Sequence, residues 1–83
     1  MIEFKYDTQL LIEGENLKKE EISKHINKNL KGDCLIVVQV GNLVKIHFLT
    51  NLPWLLLQLC ATVGVIFDIV VEDMDRQSRG LKG

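Results

Sequence analysis

From Ile2 to Ile12 the apolar side chains fall on even positions, Ile2, Phe4, Tyr6, Leu10 and Ile12, with Glu3, Lys5, Asp7 and Gln9 between them. Successive side chains of a strand point to opposite faces, so this segment reads as a half-buried strand with one face left to solvent. Gly14 breaks the alternation and Asn16 is an N-cap candidate. Leu17, Ile22, Ile26 and Leu30 then recur at helical spacing until Gly32, which predicts a first helix over Leu17–Lys31.

Two apolar runs, Cys34–Val40 and Leu43–Leu49, flank Gly41-Asn42 and predict a hairpin. A loop of Gly41-Asn42 alone would set Val38 opposite Lys45 and Ile36 opposite His47, mixing the faces. A loop of Val40-Gly41-Asn42 pairs Val38 with Val44 and Ile36 with Ile46, and gives Asn42 the left-handed position. The second register is preferred. It buries Val44, Ile46 and Phe48, turns Lys45, His47 and Leu49 to the open face beside Asp7, and leaves Leu35 and Val37 on that open face.

Leu49–Val71 carries a single charge, Asp68, and is long enough to span a bilayer. Pro53 and Gly64 punctuate it, however, and the β-branched run after Gly64 reads as a strand. A second helix from Pro53 to Gly64 and a last strand over Val65–Glu72 are expected, with no membrane span. Beyond that the composition turns polar, which divides the chain into a domain at 1–74 and a tail or linker at 75–83. The order of elements predicts an α+β, ferredoxin-like β-α-β-β-α-β fold, one antiparallel four-stranded sheet with both helices on one face.

Composition narrows the function classes. The 83 residues are 47% hydrophobic with a formal net charge of -1, which gives a packed single domain and no broad positive field for nucleic acid. Cys34 and Cys60 form no C-x-x-C pair and are expected to be buried thiols. Charges within Met1–Asp7 interrupt the apolar stretch that a signal peptide needs, so a cytoplasmic location is expected.

The candidate chemistry lies on the open sheet face, with Glu3, Lys5, Asp7 and Gln9 from the first strand and Lys45 and His47 from the third, and with Thr50 and Asn51 nearby, ahead of the second helix. The plain reading is a solvated face with cross-strand charge pairs. The sharper one is a ligand or divalent-metal site, with Asp7, His47, Thr50 and Asn51 as its residues. Zinc usually takes three or four protein ligands, and Leu49 stands where another His would complete the set. Thr50 and Asn51 can equally serve as caps of the second helix. His25 reads as a partly exposed helix residue without a partner. No phosphate-binding loop or nucleophile elbow is present, and an enzyme acting alone is not expected.

The second helix is apolar almost all round, with Trp54, Leu55, Leu56, Leu57, Leu59, Cys60 and Val63 against Gln58 and Thr62. A sheet covers only one side of a helix, so Trp54, Leu55 and Gln58, with Leu35, Val37 and Leu49 on the sheet, are expected to form an interface.

The stretch Leu43-Val-Lys-Ile-His-Phe-Leu-Thr-Asn-Leu-Pro53, followed by Gly64 and Asp68-Ile-Val-Val-Glu-Asp-Met74 with Gln77, resembles the dihydroxyacetone-kinase-like family that includes the catalytic component of bacterial fatty acid kinase. The family pattern is K-V-H-x-H-T-N-x-P, a helix, Gly, then I-x-N-M-x-x-Q. Glu3–Gly14 is similar to its Y-C-T-E-F-x-x-x-G segment. The resemblance covers the middle domain, without the kinase domain. It implies a metal-type or catalytic-looking cluster built from one Cys and the two His of H-x-H. His47, Thr50, Asn51 and Pro53 match, whereas Asp7 replaces the Cys, Leu49 the second His, and Trp54 the Gly after the Pro. The resulting expectation is a non-catalytic interaction module, a homo-oligomer such as a dimer or a domain docking onto a kinase-like or lipid-carrier partner. The alternative is a regulatory small-molecule or metal-binding domain.

Overall fold

The computed structural model describes residues 3–83, in which the chain runs β1 (Tyr6–Glu13), α1 (Lys19–Asn29), β2 (Asp33–Val40), β3 (Leu43–Thr50), α2 (Pro53–Ala61), β4 (Val65–Asp73) and α3 (Met74–Ser78). The strands form one antiparallel sheet in the order β2-β3-β1-β4. This is the expected ferredoxin-like α+β architecture with one further short helix. Ile2, the expected start of the first strand, lies outside the described residues.

The even-numbered alternation of β1 is obeyed. Leu10 and Ile12 are buried with Val44, Ile46 and Phe48 of β3, and α1 and α2 cover them with Ile22, Ile26, Leu56 and Cys60. Burial leaves the Cys60 thiol without compensation for a negative charge and pushes its pKa up to about 12. Cys34 differs from expectation because it is exposed, at the start of β2 with a φ of 54°. An extra residue there shifts the β2–β3 register between Asp33 and Ile36, and this bulge carries Cys34 out of the ladder.

The hairpin takes the first of the two registers, not the preferred second. Val40 pairs with Leu43, Val38 with Lys45, Val37 with Ile46 and Ile36 with His47, so the loop is Gly41-Asn42 alone. Gly41, not Asn42, takes the left-handed conformation, with φ 57°. Glycine at the first central position is the mark of a tight hairpin turn whose twist matches that of the strands. A slip of one residue exchanges the faces of a strand. Leu35 and Val37 therefore pack against the core, and Ile36, Val38 and Val40 stand on the open face.

The same register explains the start of α1. Asn16 does not cap the helix; it sits in a turn at φ 59°, and the position before the helix is Lys18, which makes no side-chain cap. Gln39 of β2 takes over, its Oε1 accepting the Lys19 N–H at 3.0 Å and its Nε2 donating to the Leu17 carbonyl at 2.6 Å. Only a register that turns Gln39 toward the helices allows this. Gly32 likewise is not a helix cap, since α1 ends at Asn29 with extended Leu30 beyond it. Its lack of a side chain matters for packing instead, because a Cβ would collide with the Phe48 ring and the Leu49 carbonyl.

Leu49–Val71 resolves into the end of β3, α2 and β4, and no helix among the described residues is long and apolar enough to cross a membrane. After β4 the polar segment opens with a helical turn. Asp73 caps α3 by accepting the Arg76 N–H at 3.1 Å, Met74 N–H donates to the Lys5 carbonyl at 2.8 Å, and Lys5 Nζ lies 3.3 Å from Asp73 Oδ2.

Desolvation works to raise the Asp73 pKa, but the Arg76 N–H and Lys5 outweigh it and hold the carboxyl below its ordinary value; the bond and attraction to Asp73 raise Lys5 in turn. A lowered acid contributes stability above its unfolded pKa and loses it as pH falls through the folded one; a raised base contributes below its unfolded pKa and loses it as pH rises through the folded one. The α3 contact should therefore be constant between about pH 5 and 9 and be lost only at the extremes, given ordinary values of about 3.9 and 10.4. The Arg76 amide shift in an NMR titration measures this, and a change centred near neutrality would contradict it. A second prediction concerns the register. Val37→Asp should cost at least about 2 kcal/mol in urea unfolding, through burial of a charge. Val38→Asp should stay within about 0.5 kcal/mol. The reverse ranking would restore the three-residue loop.

Candidate functional site

The central strands β1 and β3 place the candidate chemistry on the face away from the helices. In their register Asp7 lies opposite Leu49 and Gln9 opposite His47, so Asp7 and His47 are diagonal neighbours. His47 Nε2 is 2.7 Å from Asp7 Oδ1, both side chains being about a quarter exposed. The contact is close, but it is not aligned with a ring N–H. Asp7 Oδ1 therefore has no directed hydrogen bond, and His47 Nδ1, the other ring nitrogen, has no partner either, although each atom is buried. Two buried polar atoms left without a hydrogen bond cost free energy.

A shallow recess of about 280 Å³ adjoins the pair, lined by Gln9, Ile36, Val38, Lys45 and His47. On the far side of Asp7, the β1–β4 register sets Glu72 opposite it, and Glu72 Oε2 accepts a bond from Gln77 Nε2 at 2.5 Å. The site is thus a small polar island, Asp7, His47, Gln9 and Lys45, inside an apolar surround.

Thr50 and Asn51 do not join it. Thr50 is buried on the helix side, where its hydroxyl donates to the Lys31 carbonyl at 3.1 Å and accepts the Leu52 N–H at 3.2 Å. Asn51 ties down the segment before β1, its Oδ1 accepting the Lys5 N–H at 2.8 Å and its Nδ2 donating to the Glu3 carbonyl at 3.1 Å. Thr50 holds the chain in place from the opposite side of the sheet to Asp7, and Asn51 does so from the end of β3. They are not caps of α2 in the ordinary sense, since no side chain bonds the N-terminal amides of that helix.

The expected interface residues are divided. Trp54 is 57% exposed and Leu55 is at the margin of exposure, whereas Leu57, Leu59 and Val63 pack against the core. Leu55 and Gln58 line a groove of about 330 Å³ between α1 and α2. Leu49 is on the open face as expected; Leu35 and Val37 are on the other side. Sequence reasoning missed Ile36, Val38 and Val40, and the signal that would have found them was the two-residue turn. Positions 7, 47 and 49 do share one face, as a Cys and two His would need in order to act together. Here they hold Asp, His and Leu, and among the described residues no three His, Cys, Asp or Glu converge. These residues do not supply the donor set of a closed metal site.

The separation of roles can be read by hydrogen exchange. Asn51→Ala removes both bonds to the N-terminal segment and should speed exchange of the Lys5 amide by about tenfold, as expected for the loss of roughly 1.4 kcal/mol. His47→Ala should leave that amide unchanged. Equal acceleration by both would mean that Asn51 and His47 belong to one unit.

No curated protein matches the chain. Residues 3–81 match the model of the FakA-like middle domain of fatty acid kinase. With essentially the whole chain covered, and with the motif positions of the open face where that resemblance puts them, this protein belongs to the family of FakA-like fatty acid kinase middle domains.

Proposed function

We propose that the domain is a non-catalytic interaction module that docks its open sheet face onto a kinase-like protein partner. The observation that supports this most is the apolar character of the face: Ile36, Val38, Val40, Leu43, Val65 and Val70 are all exposed around the Asp7–His47 island. Apolar surface gathered in one place, enclosing a small polar patch, is the composition of a binding surface. The second helix is a lesser contributor than the sequence suggested, because Leu56, Leu57, Leu59 and Cys60 pack into or against the core and leave Trp54 and Leu55 outside. The family supports a kinase-like context for the partner. The polar island would then give the contact direction, through Asp7, Gln9, Lys45 and His47 on the same face.

A ligand-binding reading has one observation of its own, the recess beside His47 with its unpartnered Nδ1. A divalent cation would find Asp7 and His47 there and take its other ligands from solvent. Zinc titration followed by calorimetry tests it: equal, negligible heats from the wild type and His47→Ala would remove the metal version.

For docking, the purified kinase domain of a fatty acid kinase-like protein is titrated with the full chain. Val65→Lys combined with Val70→Lys should weaken binding by at least about tenfold, or roughly 1.4 kcal/mol. Trp54→Glu should change it less. No binding by the wild type, or equal binding by the double variant, would overturn the proposal.

A further inference from the structure

The helix layer, on the other side of the sheet, has a concave surface of its own. The groove of about 330 Å³ between α1 and α2 is bounded by His25, Gln58 and Thr62, and a second recess of about 300 Å³ by Phe4, Lys31 and Leu52. The two share Asn29, Leu30 and Leu55, so they adjoin. Leu55 and half-buried Leu30 give both an apolar wall.

The charges around the recesses have one sign. From Ile22 to Gly32 the chain carries Lys24, Lys28 and Lys31 and no acid, and residues 50–63 carry no charge at all. The three lysines are exposed, and none has an ion-pair partner among the described residues. No acid among the described residues lines either recess. The acids of α1, Glu20 and Glu21, lie in its first turn, at the other end of the helix. Lys28 also meets the carbonyl end of α1. Lys31 stands beside the start of α2, a helix pole that favours negative charge and has neither a side-chain cap nor an acid in its first turn.

We infer that this groove binds an acidic amphipathic helix of another protein, with two apolar side chains one turn apart entering the two recesses and flanking carboxylates meeting Lys28 and Lys31. Residues four apart on a helix lie about 5–6 Å from each other on one face, which suits two recesses that share three residues. At about 300 Å³ each, the recesses are at the small end for a ligand site and suit single side chains. A surface divided in this way fits separate anchors of a helix laid in a groove, whereas a bilayer is met by a protruding apolar face. The groove shares no residue with the Asp7–His47 island, so this goes beyond the docking of the open face.

Fluorescence anisotropy of the full chain with a labelled synthetic helix tests it. The probe has about 18 residues, long enough to form a helix, with two leucines four residues apart on one face and glutamates beside them. It should bind saturably, and more weakly as salt rises from about 50 mM to about 500 mM, because the lysines are exposed. Replacing its two leucines by alanine should weaken binding by about tenfold, as should Leu55→Gln in the protein. Lys28→Gln with Lys31→Gln should weaken it by about fivefold, the loss of two exposed charge pairs; Lys18→Gln with Lys19→Gln, the same change of charge at the other end of α1, should change it less than about twofold. Circular dichroism checks that each variant folds. Val65→Lys with Val70→Lys, which targets the open face, should bind the probe as the wild type does, so failure of the docking reading and of this one are separable. Absence of saturable binding, indifference to the leucines, equal loss from the two lysine pairs, or sedimentation of the chain with phosphatidylglycerol vesicles would each overturn the inference.

Discussion

The two-residue turn at Gly41-Asn42 sets the register on which most of the structure depends. With Gly41 in the left-handed conformation, Val40 is locked opposite Leu43, and every pair up to the Cys34 bulge follows. That register turns Leu35 and Val37 into the core and brings Gln39 under the start of α1, where it supplies the cap that the helix's own sequence lacks. It also puts Ile36, Val38 and Val40 in solvent. Because side chains alternate strictly along a strand, these outcomes cannot be separated: a loop longer by one residue would reverse all of them together.

The open face combines features that ordinarily exclude one another. Its centre is polar, with Asp7 and His47 in contact and an unpartnered atom on each, while its surround is aliphatic and exposed. A solvated sheet face would be polar throughout, and a core face apolar throughout. An aliphatic field around a few polar groups suits intermittent burial, in which the aliphatic groups contribute by leaving water and the polar ones by selecting what covers them. Positions 7, 47 and 49 fall at the centre of this face, while Thr50 and Asn51 do not. Position 7 holds Asp and position 49 Leu, and the β1–β3 ladder holds both on one face with His47.

The helices divide their labour unevenly. α1 is amphipathic and needs only Ile22 and Ile26 to hold it on the sheet. α2 has little polar surface, yet Leu56 and Cys60 are buried and Leu57 and Leu59 partly so, which leaves Trp54 and Leu55 as its exposed apolar residues. Thr50 and Asn51 fix the turn into α2 from β3, and Asn51 also fastens the chain ahead of β1. Beside that same segment α3 is attached by Asp73, which caps it and pairs with Lys5.

The amino-acid sequence by itself determined the strands and helices, their order and hence the α+β topology, because periods of two and 3.6 residues are local signals. It also placed Asp7 and His47 on one face, since each lies in a strand whose buried set is unambiguous. It did not determine the face of β2. Cys34–Val40 is apolar at nearly every position, so no alternation distinguishes inside from outside, and Leu35 and Val37 could be exchanged with Ile36 and Val38 at no local cost. Only the tertiary structure decided that, through the turn at Gly41 and the hydrogen bonds of Gln39 with the start of α1. The roles of Thr50, Asn51 and Gly32 were settled in the same way, because their partners, Lys31, Lys5 and Phe48, lie far from them in sequence or on another element, where no local pattern records the contact.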